Sequence, residues 1–120
     1  MSSIIVVEED QLMRALLVEW LSGGGYAVHA LSRAEALRHG DADLLIVDVF
    51  MPRQDGCAKL RDLRAAHPQT PLIAISGQFK AGLTGHGTAR ELGVSHVIGK
   101  PFTREQLLRV VHDVIGETQD

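Results

Sequence analysis

The chain has 120 residues, 45% of them hydrophobic and 22% charged, the size and balance of one compact domain that can bury its own core. Twelve Lys and Arg against fifteen Asp and Glu give a net charge of −3 with no basic stripe, which argues against direct contact with nucleic acid. One cysteine, Cys57, excludes an internal disulfide or a thiolate metal cage, and MSSIIVVEED offers neither a signal peptide nor a membrane span, so a soluble cytoplasmic protein is expected.

Short apolar runs alternate with stretches of helical period, the pattern of an α/β fold whose parallel sheet is covered on both faces. SIIVV at 3 to 7 reads as the first strand. Leu12, Leu16, Leu17, Trp20 and Leu21 then share one helical face, and Gly23-Gly24-Gly25 stops that helix. YAVHAL at 26 to 31 is the second strand, followed by Ser32 as N-cap of a short helix carrying Ala34, Ala36 and Leu37. DLLIVD at 43 to 48 is the third strand, and Cys57, Leu60 and Leu63 mark a helix that ends at HPQTP. PLIAIS at 71 to 76 is the fourth. The next stretch, GQFKAGLTGHGTARELG, holds five glycines and predicts a loop with a short helix around 87 to 92, the most mobile part of the chain. SHVIG at 95 to 99 is the fifth strand, and Leu107, Leu108, Val111, Val114 and Ile115 stripe a last helix.

In an open parallel sheet, ligands gather outside the carboxyl ends of the strands, where strand order reverses. Glu8, Glu9 and Asp10 follow the first strand, Asp48 ends the third, Ser76 the fourth, and Lys100 follows the fifth, so these six polar groups are expected to converge. A charge at the end of a buried strand is costly unless something pairs with it. For Asp10 there is a simpler alternative, since an acid after a strand also serves as a helix N-cap.

IIVVEED followed by an amphipathic helix, LLIVDVFMPRQDG, PLIAISG and IGKPF, in that order, resemble the receiver domain of bacterial two-component response regulators, of the single-domain chemotaxis-regulator kind. The resemblance covers essentially the whole chain, so residues 1–120 are expected to form a single receiver domain. It implies a flavodoxin-like three-layer sandwich with a five-stranded sheet of order 2-1-3-4-5 and five helices, the fourth short or irregular. It further implies that Asp48 accepts a phosphoryl group from a sensor histidine kinase or histidine phosphotransferase, and that Ser76 and Lys100 contact that group. Mg²⁺ would be held by Glu8, Glu9, Asp48 and the backbone carbonyl of Phe50, and the Lys100–Pro101 peptide would be cis. The molecule would be a signalling switch and not a metabolic enzyme. The face made by its fourth helix, fifth strand and fifth helix would meet a partner or a second copy.

Elementary electrostatics explains why such parts are needed. Two unit charges about 4 Å apart repel by roughly 4 kcal/mol at an effective dielectric of about 20, so a carboxylate attacks an anionic donor only where cations offset the repulsion. Three departures from the family pattern stand out. The acid pair is Glu8-Glu9 where Asp-Asp or Glu-Asp is usual, and the extra methylene lengthens the Glu9 arm by about 1.5 Å. A one-residue shift would restore Asp10 to the pair, but the strand runs directly into Glu8, which favours the unshifted register. Val97 stands where the family often has an aromatic ring, and the glycine-rich stretch is longer than usual. The competing expectation is a pseudo-receiver, an interaction module that keeps the fold without phosphorylation. An aspartate-nucleophile phosphatase would need a second Asp where Phe50 stands, and a flavin-phosphate loop would not carry three acids.

Overall fold

The computed structural model describes residues 2–49, 54–77 and 93–115. Its elements in chain order are β1 (Ser3–Val7), α1 (Gln11–Gly23), β2 (Ala27–Ala30), α2 (Arg33–Arg38), β3 (Leu44–Asp48), α3 (Gln54–Ala66), β4 (Leu72–Ser76), β5 (His96–Gly99) and α4 (Arg104–Ile115). The strands form one parallel sheet of order β2-β1-β3-β4-β5. Four helices are thus described; the loop and short helix expected around 87 to 92, and Phe50, lie outside the described residues.

The central strands are apolar on both sides because both faces are covered. Ile4, Val6, Leu44, Ile46, Ile73, Ile75 and Ile98 pack with α1 and α4. Ile5, Val7, Leu45, Val47, Leu72, Ala74 and Val97 pack on the opposite layer with Ala36 of α2 and Leu60 and Leu63 of α3. Period-two alternation within a continuous apolar run therefore feeds two cores at once. Trp20 joins the first core and meets Phe102 edge to face, with ring centroids 6.2 Å apart.

One sequence expectation needs correcting. Leu12 is 72% exposed, because the buried row of α1 runs through Leu17 and Leu21 with Met13 packed beside it, and Leu12 falls about 100° away from Met13.

The turns follow local chemistry. Ser32 opens α2 with a reciprocal capping box: its hydroxyl accepts from the Glu35 amide at 3.1 Å and its own amide donates to Glu35 Oε1 at 2.9 Å. Gly24 caps α1 and Gly25 takes φ 96°, a conformation that favours glycine, so the triple glycine is a helix stop. Strand order reverses at β1, whose chain leaves toward β2 on one side while β3 lies on the other. The carboxyl ends of β1 and β3 therefore open the crevice in which polar side chains can meet.

Candidate functional site

Glu8 is the first residue past β1 and is only 3% exposed. Its Oε2 accepts the Asp10 amide at 3.2 Å, and its backbone carbonyl accepts Arg14 Nη1 at 3.2 Å. Its Oε1 lies 3.2 Å from Lys100 Nζ, and the same ammonium lies 2.9 Å from Asp48 Oδ1. Two carboxylates from two neighbouring strands thus share one lysine delivered from the far side of the sheet.

Lys100 reaches them because β5 runs parallel to β4 and the Lys100 amide continues that ladder, donating to the Ser76 carbonyl at 3.0 Å. The Lys100–Pro101 peptide is cis, as expected. Ser76 ends β4, 1% exposed, opposite Gly99.

Charge and burial set the proton affinities. Burial raises the Glu8 pKa, and the nearby Asp48 charge adds to the rise, against the opposing pull of the Asp10 amide and Lys100. Burial alone would lower the Lys100 pKa, but the hydrogen bond it donates to Asp48 and the charges of Asp48 and Glu8 outweigh it and raise it. The ammonium is therefore held in its charged form between the two carboxylates.

The six expected groups do not all meet. Asp10 is the N-cap of α1, its Oδ2 accepting the Met13 amide at 2.8 Å, so this carboxylate is engaged by the helix terminus. Glu9 is exposed and, with Glu8, Arg14, Ser32, Arg33 and Glu35, lines a cleft of about 320 Å³ on the β2 side. Glu8, Asp48 and Lys100 are the groups brought into direct contact, while Ser76 closes the end of β4 beside them. One further residue escaped the sequence reading: Lys59 of α3 donates its Nζ to the Asp48 backbone carbonyl at 2.7 Å. Spacing puts Lys59 one turn before Leu63 on the row of α3 that faces the sheet, but nothing in the sequence marks the open carbonyl it meets.

Among the described residues no three His, Cys, Asp or Glu side chains form a metal cage. Mg²⁺ does not require one: it takes hard oxygen ligands and keeps several waters, so one or two carboxylates suffice. Two carboxylates bridged by one ammonium offer the hard oxygen donors that this ion takes. Glu9, one methylene longer than the usual aspartate and exposed, fits it less well.

The sequence from residue 4 to 112 matches the profile of the response regulator receiver domain. The chain belongs to that family. This receiver domain is 34% identical, over 99% of its length, to the sensor kinase CckA of Brucella abortus (strain 2308), of which it spans 13%. It is 31% identical, over 96% of its length, to the transcriptional regulatory protein CpxR of Klebsiella pneumoniae subsp. pneumoniae (strain HS11286), of which it spans 50%. The receiver domain thus spans half or less of the length of these curated relatives. Among solved structures, a response regulator from Thermotoga maritima is 27% identical with a TM-score of 0.79, covering 97% of this chain and 98% of that one. The receiver domain of sensor histidine kinase PA1611 from Pseudomonas aeruginosa PAO1, with a magnesium ion coordinated in its active site cleft, is 25% identical with a TM-score of 0.76, covering 96% and 98%. The five-stranded order found here is the fold these neighbours share. Receiver domains are signalling modules of two-component systems and not classical enzymes, and no described helix is long and apolar enough to cross a membrane.

Proposed function

We propose that residues 1–120 act as one phosphorylation-dependent switch in which Asp48 accepts a phosphoryl group from a sensor histidine kinase or histidine phosphotransferase. The observation that carries this reading is the contact of Lys100 Nζ with both Asp48 Oδ1 and Glu8 Oε1, at 2.9 and 3.2 Å. An ammonium fixed beside a strand-end carboxylate offsets the repulsion that an anionic donor meets there.

Glu8, Glu9 and Asp48, with the backbone carbonyl of Phe50, would hold Mg²⁺, which when bound neutralises charge on the phosphoryl oxygens during in-line transfer. Lys100 would hold one phosphoryl oxygen from the β5 side, and the Ser76 hydroxyl would donate to another, drawing the end of β4 toward the new group. Output passes through surface contacts in the cytoplasm, with the β5 and α4 face as the candidate surface for a second copy or partner protein, and without direct nucleic-acid contact by this domain.

Incubation with acetyl phosphate and Mg²⁺, followed by intact-mass measurement, tests the reading. The protein is expected to gain the mass of one phosphoryl group, and Asp48→Asn is expected to gain none. A second reading, a pseudo-receiver that only docks, is favoured by the exposure of Glu9 and its longer arm. No mass gain in the wild-type protein at millimolar Mg²⁺ would establish it.

A further inference from the structure

The Asp48 backbone is held by a group that the switch described above does not use. The Val49 amide donates to the Ile75 carbonyl of β4 at 2.8 Å, so the peptide groups of Asp48, one residue earlier, face β1. The β1–β3 ladder ends at the Val7–Val47 pair, which leaves the Asp48 carbonyl beyond it. Lys59 fills that gap from α3, Nζ to O at 2.7 Å, with a half-buried side chain. A leucine or methionine would satisfy the apolar row it shares with Leu63; the lysine instead places a second ammonium against the same aspartate whose carboxylate holds Lys100.

We propose that Lys59 is a positioning residue for the phosphoacceptor, which fixes the Asp48 carbonyl and sets how much positive charge a metal ion must supply beside its carboxylate. This rests on Asp48 being the acceptor. Held between Lys59 at its carbonyl and Lys100 at its side chain, Asp48 has little freedom to turn away from an incoming donor. The same ammonium repels a divalent cation entering among the acids. Lys59 therefore favours transfer and weakens the resting affinity for Mg²⁺, two effects of opposite sign that a merely structural lysine would not produce.

The test uses the full chain and three forms: wild type, Lys59→Met and Lys59→Arg. Mg²⁺ affinity is read by titration of amide NMR shifts, without any phosphodonor. The rate of phosphoryl gain from acetyl phosphate is read by intact mass at saturating Mg²⁺. Lys59→Met is expected to bind Mg²⁺ about threefold more tightly because a like charge has gone, and to accept the phosphoryl group about tenfold more slowly because the acceptor is no longer held. Lys59→Arg, which keeps charge and donor, is expected to restore both. Should Lys59→Met fail to fold, Lys59→Gln carries the same expectations. Affinity and rate both unchanged overturn the proposal, and so does a joint loss of both that arginine does not rescue. Absence of any mass gain in the wild type defeats the switch reading instead, and the Mg²⁺ titration then decides alone whether Lys59 sets the charge at Asp48.

Discussion

Two glutamates sit at two helix starts on the same edge of this sheet, and each takes a backbone amide. Glu8, between β1 and α1, accepts from Asp10 at 3.2 Å; Glu35, in the first turn of α2, accepts from Ser32 at 2.9 Å. Their proton affinities nevertheless move in opposite directions. The Glu35 pKa is lowered, first by the Ser32 amide and then by the Ser32 hydroxyl, which outweigh the opposing effect of burial, with the Arg38 charge adding to the fall. The Glu8 pKa is raised, because burial and the Asp48 charge outweigh the same kind of bond. A carboxylate spent on a helix terminus stabilises the fold, whereas one buried against a second carboxylate is held there at a cost that only added positive charge relieves.

The sharpest way to break this contrast is to remove the cation that Glu8 and Asp48 share. Lys100→Met leaves the two acids facing each other and is expected to cost about 1–3 kcal/mol at neutral pH, less than a fully buried pair would because water reaches part of the site. Urea unfolding at neutral and mildly acidic pH should show the loss shrinking as Glu8 takes up a proton. In the wild type, the Lys100 contribution is fully present below the ordinary lysine value near 10.5 and is lost as pH rises through its raised folded value. At the other corner, Ser32→Ala removes the capping box and is expected to cost about 1 kcal/mol, with phosphoryl gain from acetyl phosphate unchanged. Glu8→Gln reverses the sign. It is expected to add about 0.5–1 kcal/mol at neutral pH while weakening Mg²⁺ binding, the trade expected of a site kept for chemistry. A raised carboxylate favours the fold below about 4.5 and loses that advantage as pH climbs through its folded value, so the gain in Glu8→Gln should vanish at the acid end.

The contrast also explains which parts of the molecule were legible in the sequence. Strands came within a residue of their expected bounds because both faces of this sheet are covered, so apolar runs such as SIIVV and LLIVD have no other reading. Ser32 was readable as a cap because its bonds lie within three residues. The neighbourhood of Asp48 was readable only as a convergence of strand ends. Whether a particular acid there holds a helix amide, as Asp10 does, faces solvent, as Glu9 does, or meets a lysine, as Glu8 does, depends on side-chain directions that spacing does not encode. Lys59 was missed for the same reason: its partner is a backbone carbonyl, and no residue type in the sequence marks an open carbonyl.

The smallest expected effect isolates the charge of a capping glutamate from its geometry. Glutamine at position 35 can still accept from the Ser32 amide, so Glu35→Gln keeps the capping box and removes only the negative charge at the start of α2. A lowered carboxyl pKa contributes stability above the ordinary value of 4.5 and loses it as pH falls through the folded value. Glu35→Gln should therefore be slightly less stable than wild type at neutral pH and indistinguishable from it at the acid end, with both unfolding curves taken in the same buffers. Glu8→Gln converges on the wild type from the opposite side and at higher pH, between the raised folded value and 4.5, whereas Glu35→Gln converges only below 4.5. Were both substitutions to shift stability in the same direction at neutral pH, burial against Asp48 would not be what separates the two corners.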